Sequence, residues 1–166
     1  MLTQARLKEV LNYDPDTGIF TWIKPPSRRV GVNDPAGTIL NIGYIHISID
    51  RKRYVAHRLA WFFTHGEWPK EQMDHINHNR IDNRISNLRC VSYAENRKNM
   101  KLFKLNKSGH DGVWWDKSRN KWQAFLDTGG KRIHLGRHVK KHDAIAAREK
   151  AKSERGYHPN HGKVCT

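Results

Sequence analysis

The segment "GVWWDKSRNKWQAFLDTGGKRIHLG", Gly112 to Gly136, alternates apolar and polar residues in three short runs separated by turn-forming clusters. A side-chain period of two marks half-buried strands, and runs this short, joined at "DKSRN" and "TGGK", predict a three-stranded antiparallel sheet. Val113, Trp115, Trp122, Ala124, Leu126, Ile133 and Leu135 then share one face, with Trp115 and Trp122 expected in the core. The other face receives Trp114, Gln123, Phe125, Arg132 and His134. The following "HDAIAAREKAKSERG" places Ala144, Ala147 and Ala151 at helical spacing, with Gly156 as a stop. Small alanines let such a helix lie close on the sheet.

The first hundred residues are patterned more weakly. In "LTQARLKEVLNYDPDTGIFTWI", Leu2, Leu7, Val10 and Leu11 suit a short helix, and "DPDTG" is a turn leading into the strand "IFTWI". "TILNIGYIHISID" and "RKRYVAHRLAW" predict two strands about a turn at Asp50 and Arg51, with Ile45, Ile47 and Ile49 alternating against His46 and Ser48. From His57 to His65 the pattern is helical and offers Leu59, Phe62 and Phe63 to a buried stripe. Between Asn96 and Gly109 lie Arg97, Lys98, Lys101, Lys104 and Lys107 but no acid, which suggests a basic connector.

Charge narrows the partner. Lys and Arg number 31 against 16 Asp and Glu in 166 residues, a formal net charge of +15. That excess is beyond what solubility needs and favours a polyanion, with nucleic acid ahead of an acidic membrane surface. No apolar run is long enough to span a bilayer, and "MLTQARLKEVL" lacks the apolar core of a secretion signal, so the expected location is the cytoplasm of a bacterial or phage-infected cell. Cys90 and Cys165 stand far apart without a C-x-x-C pair, which predicts reduced thiols and neither a disulfide framework nor a cysteine zinc knuckle.

The chemistry concentrates in "MDHINHNRIDNRISNLR", Met73 to Arg89. Hydrolysis of a phosphodiester needs a hard cation on the phosphate and a base that activates water. Asp74 supplies an oxygen suited to magnesium or manganese. His75, its neighbour on an extended segment, points the other way and can stay a base, since imidazole titrates near pH ~6.5. Asn77, Asn79 and Asn83, with Asp82, read as turn formers, and His78 as a loop surface residue. His57 begins a helix just before this stretch and suits either a phosphate contact or a packing and capping role. Arg58, Arg80, Arg84 and Arg89 are candidate phosphate contacts, or solvated surface cations.

"DHINHNRIDNRISNLRCVSYAENRKNM" resembles the HNH nuclease family in its phage and intron homing-endonuclease branch, and the similarity extends back through "YVAHRLAW". The resemblance implies a ββα-metal (His-Me finger) fold in which Asp74 ligates Mg2+ or Mn2+ and His75 is the general base. It further implies that Asn87 braces the loop through backbone hydrogen bonds and that Asn96 is the second metal ligand. The last H of the motif's name is thus Asn here, and an amide oxygen favours a hard cation over zinc.

"SGHDGVWW", "KWQAFL", "KRIHLG" and "HDAIAAREKA" resemble the APETALA/ethylene-response-factor DNA-binding domain, a three-stranded sheet backed by one helix. The resemblance implies that Trp114, Gln123, Phe125, Arg132 and His134 face the major groove, with Lys117, Arg119, Lys121 and Lys131 near phosphates. The plant pattern has arginines where Asp111, Trp114 and Asp116 stand here, so Arg132 is the one base-contacting position carried over.

The expected chain is therefore α+β. Residues 1–55 form a β-rich segment, 56–100 an HNH core, 101–107 a basic linker, 108–157 the sheet domain and 158–166 a tail. The expected activity is metal-dependent nicking of double-stranded DNA by a monomer, leaving 5′-phosphate and 3′-hydroxyl ends. The rivals are a noncatalytic sequence-specific DNA-binding regulator that keeps a degenerate HNH fold, and a structure-specific or RNA nuclease.

Overall fold

The computed structural model describes residues 1–100, 102, 106–159 and 161–162. These form two compact units, Met1–Ser92 and a second from Tyr93 onward. Both combine helices with small antiparallel sheets. Much of the expected linker 101–107, and Cys165, lie outside the described residues; Cys90 is a free thiol.

In the first unit, helix α1 (Gln4–Val10) is capped by Thr3, whose hydroxyl accepts from the Arg6 amide at 3.2 Å. It buries Leu7 and Val10. Leu11, expected on this helix, instead starts strand β1 (Leu11–Tyr13), which pairs with β2 (Phe20–Trp22) in the register Leu11↔Trp22 and Tyr13↔Phe20. The turn between them is closed by Asp14, whose carboxylate accepts from the Asp16 amide at 2.9 Å and the Thr17 hydroxyl at 2.8 Å.

Strands β3 (Thr38–Ile39), β4 (Ile45–Ile49) and β5 (Lys52–Val55) form a meander. Asp50 (φ 48°) and Arg51 (φ 63°) make the two-residue turn between β4 and β5. Positive φ at both central residues is what a type I′ hairpin requires. Ile47 and Ile49 face the core while Ser48 is exposed. Helix α2 (Ala56–His65) packs on β4 and β5 through Ala56, Leu59, Ala60 and Phe62, with Phe63 partly buried, and ends at Gly66 in the left-handed region.

Strand β6 (Gln72–His75) pairs with β7 (Leu88–Val91), which follows a short 3-10 turn at Ile85–Asn87. One apolar cluster runs from Leu2 and Leu7 through Ile47 and Leu59 to Leu88. Residues 1–55 therefore share a core with the segment that carries the Asp-His pair. Each fully buried Leu or Ile in it contributes roughly 1.5–3 kcal/mol, which is what holds β6 and β7 against the amino-terminal elements.

The second unit contains helix α3 (Tyr93–Arg97), strands β8 (Val113–Asp116), β9 (Lys121–Thr128) and β10 (Lys131–His138), and helix α4 (Lys141–Glu154). The sheet has β9 in its centre, with Trp114↔Gln123 and His134↔Phe125 in register. Gly129 and Gly130, both at positive φ, form the β9–β10 turn, and the register shifts between His134 and Arg137. Helix α4 buries Ala144 and Ala151 mainly over β9 and β10. Trp115, expected in the core, is 40% exposed. It sits on edge strand β8, away from most of α4, and tilts against Trp122 at 5.3 Å. Buried Arg148 reaches Asp111 at 2.5 Å, His161 Nε2 meets the same oxygen at 3.0 Å, and Lys152 donates to the His161 carbonyl at 2.8 Å. These contacts tie the segment after α4 to the sheet, and they hold the Asp111 carboxyl near pKa 2, through His161 first and then Arg148.

Candidate active site

Asp74 and His75 end strand β6, opposite Arg89 and Leu88 of β7. Neighbours on a strand point to opposite faces, so the acid and the imidazole have separate surroundings. Asp74 is 8% exposed, and its Oδ2 accepts from Arg89 Nε at 2.9 Å and Nη2 at 2.7 Å. Arg89 reaches it because directly paired cross-strand side chains lie within a few ångströms.

Between the two strands, the loop is organised by buried Asn87. Its Oδ1 accepts from the Asn77 amide at 3.0 Å, and its Nδ2 donates to Asn77 Oδ1 at 3.0 Å and to the Asp82 carbonyl at 2.9 Å. Asn77 Oδ1 also accepts from the Asn79 amide at 2.8 Å, and Asn79 Oδ1 from the Ile81 amide at 3.3 Å, which are Asx turns. Asp82 receives Arg84 through two nitrogens, at 2.8 and 2.6 Å, and that pairing first of all holds its carboxyl near pKa 2.

His75 is buried against three groups. Its Nε2 lies 3.3 Å from Asn83 Oδ1. The His57 ring stands edge-on to it at 5.0 Å, and the Tyr44 ring lies tilted against it at 5.9 Å. Burial pushes the His75 pKa down, with the Asn83 hydrogen bond and the Asp74 charge opposing in part. His57, 8% exposed and also packed on Tyr44 at 5.1 Å, is pushed down to about 3 by burial, reinforced by His75, Arg58 and His46. Its ring is therefore neutral near pH 7 and brings no cation to a phosphate. Both ring nitrogens of His46 and Nδ1 of His57 are buried without a hydrogen-bond partner among the described residues.

The candidate arginines are engaged within their own unit. Arg58 donates to the Pro69 carbonyl at 3.3 Å. Arg80 donates to the Ile42 carbonyl at 2.7 Å and lies 4.8 Å over the Tyr44 ring. Arg84 pairs with Asp82 and Arg89 with Asp74. Each of these bonds uses only one or two nitrogens of a guanidinium that carries five N–H donors.

Asn96 lies on α3, in the second unit, and its carbonyl accepts from the Asn99 amide at 3.0 Å. A carboxylate such as that of Asp74 and an amide oxygen such as that of Asn96 are each of the hard donor class that suits Mg2+ or Mn2+. Among the described residues, no three His, Cys, Asp or Glu side chains are grouped to hold an ion. A hard cation with few protein ligands completes its shell from water and phosphate, as magnesium commonly does.

On the open face of the sheet, Trp114 stacks on Phe125 at 4.0 Å and Phe125 meets His134 edge-on at 4.9 Å. Arg132 lies 5.7 Å over both the Trp114 and Phe125 rings while its Nε and Nη2 pair with Asp127 at 2.8 and 3.0 Å. Lys117, Arg119, Lys121 and Lys131 are exposed at the turns, with Arg119 paired to Asp116 at 3.2 Å. Gln123 departs from its expected exposure. It is buried, sits opposite Trp114 in the sheet, and its side-chain amide donates to Asp116.

The acid-imidazole dipeptide at the end of β6, the asparagine-braced loop and the returning strand β7 all fall within one continuous segment. Residues 54–98 match the family model described as HNH endonuclease. Protein 3.8 of Escherichia phage T7 is 37% identical over 76 residues, an overlap that covers 45% of this chain and 63% of that protein. No solved structure matches, and no helix among the described residues is long and apolar enough to cross a membrane.

Sequence reasoning named Asp74, His75, Asn87 and Arg89 but read Asn83 as a turn former and passed over Tyr44. Position in the motif could have flagged Asn83; Tyr44 carries no local signal that would set it beside His75.

Proposed function

We propose that this chain is a divalent-metal-dependent HNH DNA endonuclease, of phage or mobile-element homing type, that nicks double-stranded DNA to 5′-phosphate and 3′-hydroxyl ends. The observation that carries the reading is a buried His75, held neutral by its surroundings, beside Asp74 within the segment that matches the HNH endonuclease model. By the resemblance, Asp74 and Asn96 are the residues that would hold Mg2+ or Mn2+, and the ion would supply charge to polarise the phosphate and neutralise the leaving 3′ oxygen.

The remaining work belongs to the chain. Neutral His75 takes the proton of the attacking water, whose oxygen bonds to phosphorus as the bond to the 3′ oxygen breaks. Asn87 keeps the loop from rearranging while this happens, through its bonds to Asn77 and Asp82. Arg89 matches the charge of the buried Asp74 carboxylate, which without a cation beside it would be costly to keep ionised. Trp114, Phe125, Arg132 and His134, flanked by Lys117, Arg119, Lys121 and Lys131, form the proposed DNA-reading face. Exposed aromatics with arginine suit base and sugar contacts, and a sheet fits the major groove. A monomer with one such centre cuts one strand per event, in the cytoplasm of a bacterial or phage-infected cell.

A supercoiled-plasmid assay tests the proposal. Wild type with Mg2+ should give open circles, whereas EDTA lanes and His75→Ala should leave the plasmid supercoiled. Equal conversion in every lane would overturn the enzymatic reading in favour of a noncatalytic DNA-binding protein.

A further inference from the structure

Asn83 is 1% exposed, an unusual position for a primary amide in a loop, and its two ends are distinguishable by their neighbours. Nδ2 donates to the Ile81 carbonyl at 3.3 Å. Turning the amide over would set two carbonyl oxygens against each other there, so the remaining end is the oxygen, an acceptor only. That oxygen faces His75 Nε2 at 3.3 Å. A ring nitrogen bonded to an acceptor must carry the proton, which puts the lone pair of the neutral ring on Nδ1.

Asn83 is itself held from the amino-terminal hairpin. The Tyr13 hydroxyl donates to the Asn83 carbonyl at 2.7 Å, across 70 residues of sequence. Burial pushes the Tyr13 pKa up to about 12, so the phenol keeps its proton and remains a donor. On the same hairpin, Gly18 (φ +74°) approaches so closely that a Cβ there would lie 2.4 Å from the Arg84 nitrogen and 2.5 Å from the Asn83 carbonyl carbon. The β1–β2 hairpin thus backs directly onto the loop at Asn83 and Arg84.

We infer that Asn83 is a positioning residue that fixes His75 as the Nε2–H tautomer with Nδ1 as its basic nitrogen, and that Tyr13 on the amino-terminal hairpin holds Asn83 in place. The inference rests on the reading of His75 as the general base. It also gives residues 1–55 a part in the chemistry, because the hairpin they contain holds Asn83, the residue that His75 Nε2 faces.

The experiment is long-range 1H–15N correlation of the histidine rings in the full-length, metal-free, 15N-labelled protein near neutral pH, with single-turnover cleavage measured alongside. His75 should show a protonated Nε2 and a bare Nδ1. In Asn83→Ala both tautomers should appear, with the single-turnover rate constant lowered about 10- to 100-fold and the half-saturating DNA concentration within about twofold, because the acceptor is lost but no substrate contact is. Asn83→Asp, which keeps an acceptor, should retain the Nε2 proton. Tyr13→Phe should show a minor Nδ1–H population, and it serves where Asn83→Ala does not fold. A wild-type ring protonated on Nδ1, or an alanine variant that keeps a pure Nε2–H ring, overturns the inference. Tautomers as expected in a protein whose His75→Ala variant still cleaves would leave Asn83 as the ring's anchor and remove the general-base reading instead.

Discussion

Lowering the pH from 8 to 5 should destabilise the Met1–Ser92 unit through His57, by an amount its surroundings set. In the unfolded chain this imidazole titrates near ~6.5, whereas burial between Tyr44 and His75 pushes it down to about 3. Between those values the unfolded state binds more protons than the folded one. Its contribution is therefore fully present above the unfolded pKa and lost as pH falls toward the folded one. At pH 5 the unfolded ring is about 97% protonated, which removes about 2 kcal/mol relative to pH 8; the loss would reach about 4–5 kcal/mol by pH 3. Urea denaturation at both pH values, followed by the methyl signals of Ile47 and Leu59, reads this unit by itself. His57→Gln supplies the reference. His75, also pushed down by burial, acts in the same direction in both proteins. Wild type should lose about 2 kcal/mol more than the variant between pH 8 and pH 5. A difference under about 0.5 kcal/mol would mean that His57 binds its proton in the folded state almost as readily as in water, and the account of its burial would be refuted.

Arg89→Ala should cost about 1–3 kcal/mol without metal, less than a fully buried pair because Arg89 is 29% exposed. Mg2+ should then raise the Tm of the variant more than that of wild type, and equal shifts would argue against Asp74 meeting the cation. Gly18→Ala should lower the stability of the first unit by about 2–4 kcal/mol, since it combines a left-handed backbone with a Cβ driven into the Asn83–Arg84 peptide; an unchanged urea midpoint would contradict that close approach. Arg132→Ala should weaken duplex binding and, if the guanidinium meets a phosphate, reduce the salt slope by about 1. Affinity and slope both matching wild type would exclude Arg132 from the DNA interface.

The elements that were legible in the sequence are those whose information is local. The alternation across Val113–Leu135 sorts residues to the two sheet faces because a strand's period of two is set by its own backbone. Asp50–Arg51 and Gly129–Gly130 mark hairpin turns because their φ values are a property of two residues. Asp74 and His75 diverge because they are neighbours on a strand. What escaped depends on packing between distant segments. Leu11 left helix α1 for β1 because Trp22 was available as a partner. Trp115 was left at a margin because α4 settled over β9 and β10.

The amino-acid order alone put an acid and a base side by side, just ahead of a loop rich in amides, in a strongly basic chain. Only the fold decided their states. It buried His57 and His75 so that both rings stay neutral, set Arg89 across from Asp74, and brought Tyr13 through 70 residues to the Asn83 carbonyl. Proton affinity and tautomer follow from desolvation and from the atoms a ring nitrogen faces, and a shared core, not chain proximity, determines which atoms those are.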